Sequence, residues 1–102
     1  MTFSGGEPAC QPEGFLNLAK QVKSRNLNLV MYSGYTLEEL QDKGKEEPAL
    51  RELLELVDYL IDGKYDEELR DLTLSFRGSR NQRIIDMNGT RTTGQLLELE
   101  NL

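Results

Sequence analysis

The sequence predicts an α/β chain, either a partial (βα) barrel or an open, mainly parallel sheet of about four strands with flanking helices. Three observations predict it. Short apolar runs alternate with segments whose apolar residues recur at helical spacing. The alternation repeats at about 30 residues, the length of a right-handed βαβ unit. The chain has 102 residues, too few for an eight-stranded barrel, which typically takes ~250.

Thr2-Phe3 is a strand stub that runs through Ser4 into a glycine turn, and Pro12 suits the first turn of a helix. Phe15, Leu18, Ala19 and Val22 fall at i, i+3, i+4 and i+7, which predicts a helix through about Lys23. Leu27 to Tyr32 is a short apolar run and predicts a buried strand ending at Ser33-Gly34. Thr36 with Glu39 forms a capping box that opens a short helix carrying Leu37 and Leu40. After the charged break Lys43 to Glu47, Pro48 starts a further helix with Leu50, Leu53, Leu54 and Val57 in register. Val57 to Asp62 predicts a third strand closed by Gly63, and the acidic run Tyr65 to Asp71 is permissive of helix. Arg83 to Met87 predicts a fourth strand. Asn88-Gly89 signals a tight turn, with Thr90 to Thr93 pairing back as a hairpin. Gln95 to Leu102 reads as a terminal helix or a frayed tail.

Composition excludes several function classes. Twelve Lys+Arg against 18 Asp+Glu leave a formal charge of −6, which argues against nucleic acid as a partner, because counterion release needs a basic face. One cysteine and no histidine exclude an internal disulfide, His-dependent nucleophilic catalysis, and any metal centre built from several thiolates or imidazoles of this chain. No metal ligand is therefore expected here. Cys10 reads as a half-buried turn or helix-entry residue. No apolar run approaches the ~20 residues of a membrane span, and Met1 to Gly14 lacks the layout of a signal peptide. A cytoplasmic protein without membrane contact is expected. Thr36 to Leu72 holds 13 acidic and five basic residues, a net of −8, and reads as the solvated side of helices. Arg77, Arg80, Arg83 and Arg91 lie within 15 residues, with Asp86 the one acid among them. They form either a solvated, charge-balancing face or a site for an anion or partner.

In open α/β sheets the polar residues at strand C-termini are the functional candidates. Here these are Ser4 to Glu7, Ser33, and Asp62 with Lys64. Gly5 and Gly6 allow close backbone approach to a ligand, and Glu7 adds a fixed anion, so a cation such as an amino group is the natural complement. A plain βα turn and a solvated acidic turn beside a lysine are the simpler readings of the two segments.

Thr2-Phe3-Ser4-Gly5-Gly6-Glu7-Pro8 followed by Gln11-Pro12-Glu13 resembles the GGEP segment of radical S-adenosylmethionine (SAM) enzymes, in particular the glycyl-radical-enzyme activases. Tyr32 to Leu40, Val57 to Gly63 and Phe76 to Asp86 are similar to the corresponding blocks of the family that activates anaerobic ribonucleoside-triphosphate reductase. The resemblance covers about residues 2 to 87. It implies that Gly5, Gly6, Glu7 and Pro8 face the amino group of SAM, that Ser33 is a polar neighbour of the cofactor, and that Asp62 and Lys64 stand beside SAM and a monovalent cation. It also implies a four-iron cluster whose electron cleaves SAM to a 5′-deoxyadenosyl radical that abstracts hydrogen from a glycine of the reductase.

The family holds that cluster with three cysteines in a CxxxCxxC loop, which this sequence lacks. The expectation is a single partial radical-SAM-type α/β domain over residues 1–102 without its N-terminal cluster-binding unit, inactive alone and holding neither cluster nor SAM as a resident cofactor. The alternative is a cluster-free module that docks a glycyl radical enzyme without catalysis. A flavodoxin-like or receiver-like domain is disfavoured, since the first strand lacks the acidic cluster or phosphate loop those need. Without a neighbour beside the Phe3 strand, self-association through an exposed sheet edge is expected as well.

Overall fold

A computed structural model describes residues 2–3, 10–64, 68 and 81–99. The elements in order are β1 (Thr2–Phe3), α1 (Pro12–Ser24), β2 (Val30–Tyr32), α2 (Leu37–Gly44), α3 (Pro48–Leu56), β3 (Tyr59–Asp62), β4 (Arg83–Asp86), α4 (Met87–Thr93) and β5 (Glu98–Leu99). The strands form one sheet in the order β1-β2-β3-β4-β5. β1/β2 and β2/β3 are parallel, whereas β3/β4 and β4/β5 are antiparallel. The expected α/β class holds, but the sheet is mixed and five-stranded where a mainly parallel one of four was expected. Among the described residues β1 and β5 are its two ends, and no pairing closes it into a barrel.

The register explains how the core is built. Phe3 pairs with Met31, Met31 with Leu60 and Leu60 with Ile85, so these four side chains form one row across β1 to β4. All four are buried, against Leu16, Ala19 and Val22 of α1, Leu37 and Leu40 of α2, and Leu50, Leu53 and Leu54 of α3. Phe15 adds a tilted ring contact to Phe3, with centroids 5.1 Å apart. Ile61 and Ile84 are cross-strand partners one residue further along, hence on the opposite face, and both are also fully buried.

Pro12 and Pro48 stand in the first turns of α1 and α3 as the sequence predicts, and the Thr36–Glu39 capping box of α2 is present in both directions. Of the expected stripe of α1, Ala19 and Val22 are buried and Phe15 packs against the core, whereas Leu18 is 46% exposed and Leu16 is buried instead. Cys10 is exposed, not half-buried, just ahead of α1. β2 is shorter than Leu27 to Tyr32 because Asn26, at φ 58°, turns the chain after α1 and Leu27 is still in that turn, donating to the Val22 carbonyl. Val57 terminates α3 and does not begin β3. The acidic run from Tyr65 to Asp71 lies, except for Glu68, outside the described residues.

The largest departure lies after β4. Asn88-Gly89 does not make a hairpin turn and Thr90 to Thr93 is not a strand, since both belong to α4. Asp86 caps this helix by accepting from the Gly89 amide at 3.0 Å, and Gly94, at φ 75°, closes it in the left-handed conformation. Arg91 anchors α4 to α3 by donating to the Leu54 and Val57 carbonyls at 2.9 and 3.1 Å. Gly89 lies close to its neighbours: a Cβ there would stand 2.5 Å from Leu97 Cδ1, the mobile end of a partly exposed side chain, and 3.0 Å from Asp86 Oδ2. The Leu97 carbonyl accepts from the Asp86 amide at 2.9 Å, and Glu98–Leu99 pairs with β4, where the sequence predicts a terminal helix or tail.

Asp58, buried just before β3, gathers three elements. Its carboxylate accepts from Lys23 Nζ of α1 at 2.8 Å, from the Leu29 amide at 2.7 Å and from Asn88 Nδ2 of α4 at 2.9 Å. Burial raises its pKa, but the hydrogen bonds from Lys23, Asn88 and Leu29 outweigh that and hold the carboxyl below its ordinary range. A depressed folded pKa adds stability that is complete above the unfolded value near ~3.9 and is lost as pH falls through the folded value. Asp58→Ala is therefore expected to cost about 2 kcal/mol at neutral pH, by leaving the buried Leu29 amide without an acceptor and Lys23 and Asn88 without their partner, and to flatten the decline of stability below about pH 4. Urea unfolding as a function of pH measures both.

Candidate strand-end functional site

The C-terminal ends of the parallel strands β1, β2 and β3 share one edge of the sheet. Gly5, Gly6, Glu7 and Pro8, which follow β1, lie outside the described residues. The ends of β2 and β3 are described in full, and they are stitched together by backbone: the Ser33 amide donates to the Ile61 carbonyl at 3.0 Å and the Gly63 amide to the Tyr35 carbonyl at 3.2 Å. Ser33 is buried and its Oγ accepts from the Tyr35 amide at 3.0 Å, which tightens the loop into α2. Lys43 Nζ covers the Tyr35 ring at 5.0 Å.

Asp62 ends β3 fully buried. Its Oδ2 accepts from the Leu37 amide at 2.7 Å, the first residue of α2, so a β3 carboxylate occupies one of the helix's unpaired N-terminal donors. Its register partner Arg83 engages both oxygens, with Nε donating to Oδ1 at 2.9 Å and Nη2 to Oδ2. The same Nη2 reaches Glu38 Oε1 of α2 at 2.7 Å. Asp62 and then Glu38 push the guanidinium pKa further up, against the effect of burial. The hydrogen bond from Arg83 holds the exposed Glu38 carboxyl below its ordinary range. Arg83 thus turns inward to two carboxylates of its own chain, where the sequence allowed an anion or partner contact. Arg77 and Arg80 lie outside the described residues.

Gly63 sits at φ 100°, in the left-handed region, and this ends the extended backbone of β3. Beyond it, side chains from the two residues just ahead of β4 continue the antiparallel order. Gln82 Nε2 donates to the Gly63 carbonyl at 3.1 Å and Asn81 Nδ2 to the Lys64 carbonyl at 2.7 Å. The fold therefore brings Ser33, Asp62 and Gly63 together and leaves Lys64 exposed at the rim, with no ion pair between Asp62 and Lys64 among the described residues. Asn81 and Gln82 are visible in the sequence as residues leading into a strand. Their partners are not, because those depend on the antiparallel register of β3 and β4.

An α/β sheet with its polar residues gathered at the strand ends defines the class, and comparison with known proteins defines the family. The chain belongs to the family described as 4Fe-4S single cluster domain, which matches residues 1–85. The anaerobic ribonucleoside-triphosphate reductase-activating protein of Pasteurella multocida (strain Pm70) is 37% identical over 87 residues, 80% of this chain and 52% of that protein. The protein of that name from Vibrio cholerae is 35% identical over 86 residues, with the same coverage, and that of Enterobacteria phage T4 is 34% identical over 88 residues, 82% of this chain and 51% of its own. The chain spans about half the length of the curated relatives it matches. No solved structure matches it.

The residues present do not fit a four-iron cluster on their own. Such clusters are held by several thiolates, and the sequence contains Cys10 alone. Among the described residues no group of three His, Cys, Asp or Glu is placed to hold a metal ion. Nor, among them, is any helix long and apolar enough to cross a membrane.

Two substitutions separate the buried pair from its exposed extension. Arg83→Met leaves the buried Asp62 carboxylate without its cation and is expected to cost about 3 kcal/mol or more. Glu38→Gln removes a partner whose side chain is 64% exposed and is expected to cost well under about 1 kcal/mol. Urea unfolding of the two variants checks the contrast.

Proposed function

We propose that this chain is part of an activating protein for anaerobic ribonucleoside-triphosphate reductase, a glycyl radical enzyme, and that the ends of β1, β2 and β3 form part of a shelf for SAM. The observation that carries the reading is the joining of Ser33 and Asp62-Gly63-Lys64 into one edge, beside the strand that leads into Gly5-Gly6-Glu7-Pro8, in a chain whose relatives bear that activating-protein name. On this reading the backbone of Gly5 to Pro8 and the Glu7 carboxylate receive the amino group of the methionine moiety, and Ser33 lies beside it. Lys64, exposed at the rim, offers an ammonium to a carboxylate. Asp62 contributes by holding α2 and β4 in place, since its oxygens already accept from Leu37 and Arg83. Arg77 and Arg80 remain candidates for contact with an anion or the reductase.

With a single thiol in the sequence, the chain by itself lacks the donors for the family's cluster, and we propose that it does not cleave SAM alone. The same observation favours a second reading, a cluster-free module that binds the reductase without catalysis. The cytoplasm, where the reductase partner would be met, is the proposed location. β1 ends the described sheet, and pairing of that edge with a second copy is proposed as well.

Anaerobic reconstitution with iron and sulfide, followed by measurement of 5′-deoxyadenosine, is expected to give no product above the blank; a rate above it contradicts the proposed inactivity. Co-sedimentation with an anaerobic reductase separates the two readings. Binding without SAM supports the docking module, and binding that requires SAM supports the shelf.

A further inference from the structure

We infer that Asn81 and Gln82 are positioning residues that set the backbone of the Asp62–Lys64 segment and, through it, the reach of the Lys64 ammonium. The inference rests on the reading of that segment as part of the SAM shelf. The backbone ladder between β3 and β4 has its last register pair at Asp62 and Arg83, and the positive φ of Gly63 takes the chain out of the extended conformation just beyond. Three consecutive side chains then hold three consecutive residues in antiparallel order: Arg83 holds the Asp62 carboxylate, Gln82 the Gly63 carbonyl and Asn81 the Lys64 carbonyl.

The chemistry of the two amides suits this work. Each offers an uncharged N–H donor to a carbonyl, which fixes the backbone without placing a second charge beside Lys64. Asn81 and Lys64 are both exposed, so fixing the Lys64 carbonyl confines the segment while its side chain stays available to a ligand. On the opposite side the Gly63 amide is held by the Tyr35 carbonyl, so the segment is gripped between the β2–α2 loop and the start of β4. Loss of the Asn81 grip loosens the segment locally, since that bond is exposed while the Gln82 bond beside it is buried.

Asn81→Ala tests the inference, and Asn81→Asp, which keeps the size and replaces the donor by an acceptor, supports it with a second variant. Amide hydrogen exchange is expected to speed up about tenfold or more at Gly63 in both variants, as a hydrogen bond's worth of local protection is lost. Leu60 and Ile85 are expected to exchange as before. In equilibrium dialysis with SAM itself, Asn81→Ala and Lys64→Met are both expected to weaken binding about tenfold. Unchanged exchange at Gly63 overturns the inference, as does faster exchange spread evenly over Leu60 and Ile85, which marks a merely structural role. An affinity lowered by Lys64→Met but not by Asn81→Ala overturns it too. Binding that is undetectable in the unsubstituted chain, or unaffected by Lys64→Met, overturns the shelf reading instead, and the exchange at Gly63 still decides whether the clamp exists.

Discussion

The strand-end edge depends on one buried interaction, the pairing of Asp62 with Arg83 and the Leu37 amide. A carboxylate removed from water is costly unless its oxygens find partners of good geometry. Asp62 is fully buried and meets that demand with a two-pronged guanidinium from β4 and a helix N-terminal amide from α2. The three groups come from three elements that are distant in sequence, so the pair can form only when β3, β4 and the start of α2 are all in place. The interaction ties the Asp62–Arg83 register pair of β3 and β4 to the first amide of α2.

A second carboxylate works at the other end of the same strand. Asp58 draws Lys23 of α1, the Leu29 amide before β2 and Asn88 of α4 onto the start of β3. β3 is the middle strand of the sheet, with apolar neighbours in its interior and an acid just before its first residue and at its last. The two acids divide the labour. Asp58 assembles the helix-bearing end of the fold, and Asp62 assembles the end on which ligand contact is proposed. This division accounts for how the two ends of β3 are held in a sheet whose outer strands have two residues each.

How much of this was legible in the sequence follows from how local each determinant is. The capping box of α2 needs only Thr36 and Glu39, and the starts of α1 and α3 need only Pro12 and Pro48, so all three could be read from the residues. The strand-end location of Ser33 and Asp62 followed from the βα alternation. α4 is not legible because its main supports are distant: Arg91 ties it to the Leu54 and Val57 carbonyls at the end of α3, and Asn88 donates to Asp58. Asn88-Gly89 carries the local signal of a hairpin turn, and tertiary contacts override it. The same limit hid the partners of Asn81, Gln82 and Arg83, which exist only in the antiparallel register of β3 and β4. Leu16 and Leu18 flank the Ala19–Val22 stripe on opposite sides, and which flank is covered depends on how α1 lies against its neighbours, which the spacing alone does not set.

The most direct test of this account is a double-mutant cycle between Asp62→Asn and Arg83→Met, read by urea unfolding with amide exchange at Leu37 alongside. If the buried pair organises the edge, the two changes are strongly non-additive, with a coupling of about 2 kcal/mol or more, and Leu37 loses protection in each variant. Additive losses with an unchanged Leu37 amide would contradict it.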